Sequence, residues 1–250
     1  GLVVVDTGTY WSTFGQVVIM LLFQLGGFGM MTLATLLGLL VNRSFHLRTK
    51  LIAQAESHVL GLGDITSVAK LVLVVTLVME LAVMLLLTLR LHLTYGLAWG
   101  DAAWSGLFHA VSAFNNAGFS TYSDSLMGFA ADPLFLVPVM LAVVVGGVGF
   151  PVLFETWRQR GGWSTWSIHT RITLAGSLFL LVAGALAMLA LEWDNTLAEH
   201  TVGGKLLGAL FASVSSRTAG FNAVDIGSMA RESWAIHYVL MFIGGGSAGT

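Results

Sequence analysis

The stretch Phe108-His109-Ala110-Val111-Ser112-Ala113-Phe114-Asn115-Asn116-Ala117-Gly118-Phe119 recurs, with one gap, as Phe211-Ala212-Ser213-Val214-Ser215-Ser216-Arg217-Thr218-Ala219-Gly220-Phe221. Each copy closes an apolar run, Ala102–Phe114 or Val202–Ser216, that is too short to cross a bilayer. Such a run reaches about 20 Å as a helix, against a hydrocarbon core of about 30 Å. Each run passes at once into Ala-Gly-Phe and, a few positions on, an acid, Asp124 or Asp225. A half-crossing helix followed by a returning loop fits that length. Irregular backbone at membrane depth is tolerated only where it is buried in protein or lines a water-filled path. The duplication therefore predicts an all-α integral membrane fold of repeated helix–pore loop–helix units.

The flanking sequence agrees. Phe14–Val41, Leu71–Leu93, Leu134–Phe154 and Ile172–Leu191 are long and apolar enough to span, and a fifth run begins near Trp234 and reaches Ile243. The chain is 56% apolar and 10% charged, far from the usual quarter of charged residues in a soluble domain. Arg43, Arg48, Lys50 and Lys70 fall in one connecting loop, and Arg158, Arg160 and Arg171 in another. The positive-inside rule places both loops, 42–70 and 157–171, in the cytoplasm, so the pore loops enter from outside. Asp6, Asp101, Asp124, Asp132, Asp194, Glu199 and Asp225 then face the outer side, where an acidic vestibule concentrates cations. Scattered basic residues exclude a nucleic-acid surface, and the absence of cysteine excludes disulfides and thiolate metal sites. Both ends look cut, as in a piece of a longer protein.

Further repeats set the organisation. Gly1-Leu2 followed by Asp6 reads as the tail of an earlier copy. Gly26-Gly27-Phe28-Gly29, Gly146-Gly147-Val148-Gly149 and Gly244-Gly245-Gly246 sit at matching places after the three loops. Small residues let helices approach closely, and all six glycines of the first two groups are expected to be packing glycines. Every copy enters the membrane the same way, which favours a ring about a pore over an inverted pair. The expected division is 1–68 for the end of repeat 1, 69–168 for repeat 2 and 169–250 for repeat 3.

A dehydrated cation needs oxygen ligands, and rings of backbone carbonyls supply them. Glycine lets such backbone turn without steric cost, and Gly118 and Gly220 stand where that turn must be. The carbonyls of Asn116, Ala117, Thr218 and Ala219 complete the expected ion contacts. The pore-helix C-termini add partial negative charge.

With these residues in hand, the sequence resembles the Trk/Ktr/HKT superfamily of cation transporters, and within it the KtrB-type potassium-uptake subunits. The resembling segments are Gly1–Thr7, Gly15–Thr32, Phe108–Phe119, Ser215–Asp225 and Ile243–Thr250. The resemblance implies four repeats around a pseudo-fourfold pore, with the fourth repeat and most of the first lying outside this chain. It implies that Gly1, Gly118 and Gly220 are the filter glycines of repeats 1 to 3, a pattern associated with potassium. Serine at the first position is associated with sodium permeation in plant relatives. It also implies a gate, an intramembrane loop breaking the third inner helix, matched here by Gly244, Gly245, Gly246, Ser247, Ala248, Gly249 and Thr250. The implied partners are membrane lipid, a second copy in a homodimer and a cytoplasmic ring of nucleotide-binding subunits docking on the basic loops. Potassium is the implied substrate, with sodium as a possible coupling ion, no organic cofactor, and the cell membrane as location.

Other features weigh against other chemistries. Asn115, Phe119, Arg217 and Phe221 are expected to support the filter, with Arg217 anchoring the filter loop through carbonyls or an acid. Glu80 lies mid-span, where a carboxylate is a functional candidate by default; outside any filter segment, it is expected to make a structural pair. Gly245-Gly246-Ser247-Ala248-Gly249 fits a hydrolase pattern, yet it lacks the strand–turn–helix context, and nothing argues for an enzyme. Gly26-Gly27-Phe28-Gly29 lacks the strand and the acid of a dinucleotide loop, and the histidines show no metal spacing. His109 is expected to pack in its pore helix. Tyr95–Trp99 and Trp163–Trp166 read as interfacial anchors. The alternatives to potassium uptake are sodium or mixed transport and, from another class, a non-conducting membrane sensor or scaffold.

Overall fold

The computed structural model describes residues 4–29, 62–159, 162–246 and 249. Gly1, Ser247, Ala248 and Thr250, with Arg43, Arg48, Lys50 and Arg160 of the basic loops, lie outside them. Among the described residues the chain is helical with no strand: α1 (Thr13–Gly29), α2 (Leu62–Tyr95), α3 (Trp99–Phe114), α4 (Pro133–Val148), α5 (Phe150–Arg158), α6 (Ile168–Glu192), α7 (Val202–Thr218) and α8 (Arg231–Ile243). Local signals start several of them. Asp132 accepts from the Leu134 amide at 3.0 Å ahead of Pro133, whose missing N–H costs nothing in a first turn. Ser167 caps α6 at the Thr170 amide (3.2 Å), and Thr201 caps α7 at Gly204 (3.3 Å).

Val72–Tyr95 of α2 and Ile168–Glu192 of α6 are long and apolar enough to cross a membrane. Their outward faces carry exposed Leu77, Leu81, Phe179 and Leu186, the side chains a lipid tail solvates well. The expected span Leu134–Phe154 is instead broken: α4 and α5 meet at 94°. Gly149 sits at the corner with φ +94°, and Pro151 follows, unable to donate to the turn before it. Three boundaries also shift: α2 starts ahead of Leu71, α7 runs past Ser216 to Thr218, and α8 starts at Arg231.

α2, α3 and α4 pack together, as do α6, α7 and α8, and α4 lies against α7. α1 meets α3 in the same way: Phe23 contacts Phe108 and Phe119 at 5.7 and 5.9 Å, and Trp104 donates to Gln16 at 3.0 Å. α1 thus rests on α3, and α4 on α7. In lipid, tails are as apolar as leucine, so close fit rather than water exclusion joins helices. The tight approaches are at Gly106, where a Cβ would lie 2.9 Å from the Met84 carbonyl, and at Gly184, where it would lie 2.9 Å from Leu240. Of the glycines expected to pack, Gly27 does so against Asn115, and a Cβ on Gly147 would sit 3.3 Å from the Thr218 hydroxyl. A Cβ on Gly26 or Gly29 would meet nothing within 4 Å, and Gly149 is a corner.

Candidate functional site

Two short helices, α3 and α7, each end in a turn that a serine one helical step back holds. In the first, Ser112 Oγ donates to the Phe119 carbonyl (2.8 Å) and accepts from the Phe119 amide (2.9 Å). In the second, Ser215 Oγ donates to the Phe221 carbonyl at 2.6 Å. Between serine and phenylalanine the backbone reverses at Gly118 (φ +71°) and Gly220 (φ +82°). Both glycines occupy the left-handed region that other residues enter only at a cost. The clamp spans seven positions in the first loop and six in the second, which locates the gap between the sequence copies. The first loop takes up its extra residue at Asn116, whose φ is +51°. Asparagine is among the few non-glycine residues that adopt that region readily.

The two loops are bonded to each other. Thr218 Oγ1 donates to Asn116 Oδ1 at 2.7 Å. Beyond the glycines, the Asn222 amide donates to Ser125 Oγ (3.1 Å), and its carbonyl accepts from the Leu126 amide (2.8 Å). A polar cavity of about 400 Å³ opens beside Gly118 and Gly220, with Asp6, Thr7, Ser120 and Asn222 among its walls. Residues near the start of the chain and both glycine turns therefore line one space. His109, fully buried, links its pore helix to the return strand: Nδ1 meets the Ser105 carbonyl at 2.8 Å, Nε2 meets Ser120 Oγ at 2.9 Å, and the ring stacks on Tyr122.

Asp124 and Asp225 have a local task that the sequence did not reveal. They accept from the amides of Gly128 (3.1 Å) and Gly227 (3.0 Å) in matching single turns of 3₁₀ helix, Met127–Phe129 and Ile226–Ser228. The Ser228 hydroxyl and the Gly227 amide hold the Asp225 carboxyl below the usual carboxylate range. Both acids remain exposed.

Behind each turn, the residue three before the glycine is held by a different set. Asn115 Nδ2 lies 3.1 Å from Glu80 Oε1 and 2.7 Å from Gln24 Oε1, while Gln24 Nε2 donates to Glu80 Oε2 at 3.1 Å. Glu80 is buried, and the polar pairing expected for it is made with amides. Although it lies 35 positions away in sequence, it touches Asn115 at the C-terminal end of α3. A mid-span carboxylate and an asparagine ending a pore helix were the available signals; their pairing depends on packing alone. Arg217 bonds to a carbonyl, one of the two kinds of partner expected for it. Its Nε and Nη2 donate to the Gly244 carbonyl (3.1 and 3.0 Å), and Nη2 also reaches Ser177 Oγ (3.1 Å). That carbonyl belongs to the residue that ends α8. The Gly246 amide in turn donates to the Gly147 carbonyl at 2.7 Å.

Among the described residues no cluster of three or more His, Cys, Asp or Glu could hold a metal ion. Asp6 is the one acid lining the cavity, beside the uncharged polar residues Thr7, Ser120, Ser125 and Asn222. His237 is bonded through Nδ1 to Ser216 Oγ (2.7 Å).

Residues 1–250 match the TrkH family, described as cation transport protein. The chain is 39% identical over 252 residues to "Ktr system potassium uptake protein B" of Bacillus subtilis (strain 168), covering 100% of this chain and 56% of the relative. It is 28% identical over 255 residues to "Potassium/sodium uptake protein NtpJ" of Enterococcus hirae, covering 100% of this chain and 55% of that protein. The crystal structure of the potassium transporter TrkH from Vibrio parahaemolyticus shares the fold, with a TM-score of 0.67 at 18% identity over 100% of this chain and 48% of that one. The chain spans about half the length of the curated relatives it matches.

Proposed function

Because the chain belongs to the TrkH family of cation transport proteins, we propose that it contributes three of the four loops of a potassium-uptake pore. Its described helices and its family place it in a membrane. The observation that carries the proposal is the duplicated, serine-clamped glycine turn, Gly118 and Gly220, opening on one polar cavity of about 400 Å³. Backbone carbonyls of Asn116, Ala117, Thr218 and Ala219, with those of the glycines and of Gly1, replace the water of an entering cation. Fixed oxygens suit this task because they need no reorganisation as the ion arrives. The repeats divide at 1–68, 69–168 and 169–250, and the fourth belongs to the longer protein. The glycine loop from Gly244 to Thr250 gates the path. The name of the Bacillus relative, a Ktr system uptake protein, supports a multi-component assembly in which a cytoplasmic nucleotide-binding ring docks on the loops 42–70 and 157–171 and two copies pair.

Sodium or mixed transport is the second reading, favoured by the name of the Enterococcus relative. One experiment separates them. The full-length protein is expressed in cells lacking their own potassium uptake, and rubidium uptake is measured with sodium competing. Wild type is expected to take up rubidium, and Gly118→Ser and Gly220→Ser to lose uptake or admit sodium. Strong inhibition of the wild type by equimolar sodium supports mixed transport. A well-folded wild type that carries no cation ends the pore proposal.

A further inference from the structure

An acid follows each of the three glycine positions that recur in the sequence: Asp6, Asp124 and Asp225. Each carboxylate accepts from a backbone amide close by: Asp6 from Thr9 (2.8 Å), Asp124 from Gly128 (3.1 Å) and Asp225 from Gly227 (3.0 Å). Their surroundings then part. Asp225 spends its second oxygen on the Ser228 hydroxyl, and neither Asp124 nor Asp225 lines the polar cavity. Asp6 lines it together with Gly118 and Gly220. Its Oδ2 has no hydrogen bond among the described residues, and the one ion pair among them is Arg90–Asp132, so no basic side chain there neutralises Asp6.

Asp6 is also tied in place. The Tyr10 amide donates to its carbonyl at 3.1 Å. Next to it, Gln16 Nε2 donates to the Thr7 carbonyl (3.2 Å), while Gln16 Oε1 accepts from Trp104 of α3 (3.0 Å). A Cβ on Gly8 would come within 2.8 Å of the Thr121 carbonyl carbon, so this stretch lies directly against the segment that follows Gly118. A charge held on the wall of a cleft focuses its field into the cleft and raises the local concentration of counter-ions.

We infer that Asp6 is the collecting charge of this cavity: its carboxylate draws and holds an alkali-metal cation ahead of the two glycine turns, while Asp124 and Asp225 serve their own 3₁₀ turns. This rests on the proposal that Gly118 and Gly220 border a cation path entered from outside. A single carboxylate balances a single charge. A calcium ion takes six to eight oxygen ligands, and no cluster of three acids or histidines is found among the described residues. The three repeats therefore share the acid in sequence but divide its use.

The test uses the full-length protein in cells lacking their own potassium uptake, with two readouts. The first is the concentration dependence of rubidium uptake. Asp6→Asn keeps an acceptor for the Thr9 amide and removes the charge. It is expected to raise the half-saturating rubidium concentration roughly fivefold at low ionic strength, with the maximal rate within about twofold of wild type. The gap should close as choline chloride is raised to about 0.15 M, where charges are screened over about 8 Å. Asp6→Glu should restore wild-type behaviour, and Asp124→Asn and Asp225→Asn should leave half-saturation within about twofold. The second readout needs no transport. Ser123 is exposed and lines the same cavity, and the present sequence contributes no cysteine of its own. Ser123→Cys is labelled from outside by cationic and anionic thiol reagents, and Asp6→Asn should lower the ratio of the two rates roughly fivefold. Where Asp6→Asn does not reach the membrane, Asp6→Ser, which also keeps an acceptor and loses the charge, is read by the same criteria. Half-saturation and labelling ratio as in wild type overturn the inference. So does a fivefold change that ignores ionic strength, or one that Asp124→Asn and Asp225→Asn reproduce. If wild type carries no cation but the labelling ratio falls in Asp6→Asn, the collecting charge stands and the pore proposal falls. If wild type transports and Gly118→Ser alters its selectivity while Asp6→Asn moves neither readout, the reverse holds.

Discussion

The second and third repeats make the same turn with different hardware. In repeat 2 the pore helix stops at Phe114, a left-handed Asn116 takes up one extra residue, and Ser112 grips both the amide and the carbonyl of Phe119. In repeat 3 the helix runs to Thr218 and Ser215 grips the Phe221 carbonyl alone. The joint between outer and inner helix differs more sharply. In repeat 2 the inner-helix cap is the acid, Asp132, and the outer helix sends Arg90 (2.8 Å) and Tyr95 (3.0 Å) to it. In repeat 3 the outer helix ends in the acid, Glu192, which accepts from the Ala230 amide at 2.9 Å and from the Ser233 hydroxyl at the start of α8. Both arrangements put negative charge at the N-terminus of an inner helix, where the backbone partial charge is positive. Position and field are retained while the donor of the charge changes sides.

The largest effect is expected at that joint. Glu192 is 1% exposed and holds four partners, so Glu192→Ala should cost about 3 kcal/mol by stranding the buried Ser233 hydroxyl and releasing the other three donors. Asp132→Asn, which keeps a capping oxygen and loses the ion pair with partly exposed Arg90, should cost about 1 kcal/mol. Thermal unfolding of purified protein in detergent measures both, and equal losses would dissolve the contrast between the repeats. Asn116→Ala should cost about 2 kcal/mol, combining left-handed strain with the lost bond to Thr218, whereas Asn116→Gly should cost about half as much. Sodium competition in the uptake assay should follow the same order. The clamps rank next: Ser112→Ala removes two hydrogen bonds and about 2 kcal/mol, Ser215→Ala one bond and about 1 kcal/mol. A reversed order would mean that Phe221 is held by something other than its serine. The smallest effect is Glu80→Gln, which preserves shape and one acceptor oxygen and should shift stability by about 1 kcal/mol or less.

The duplicated loops were legible because their chemistry is local: Ala-Gly-Phe after a short apolar run is a pattern contained in residues 108–119 and again in 211–221. The sequence match needs one gap but does not place it; the left-handed backbone at Asn116 does. The corner at Gly149 was missed because Gly146-Gly147-Val148-Gly149 reads equally well as a packing stripe. Pro151, two positions on, was the discriminating signal, since it denies the preceding turn an amide. The contacts of Glu80 with Asn115, and of Arg217 with Gly244, join residues 35 and 27 positions apart on different helices. Neither periodicity nor motif specifies such pairs; the approach of three helices does. Asp124 and Asp225 were legible as a recurrence but not as caps, because a cap is recognised only with the turn that it closes.

In the proposed pore, Asn116 alters one loop and leaves the others as they are. In a pore made of four identical subunits, every substitution is copied four times, and the surroundings of the ion change by four equal steps at once. Loops written in tandem on one chain escape that coupling. An inserted residue in one of them shifts a single arm, so selectivity can drift by fractional doses, and a mutation too severe in fourfold can be sampled once and kept.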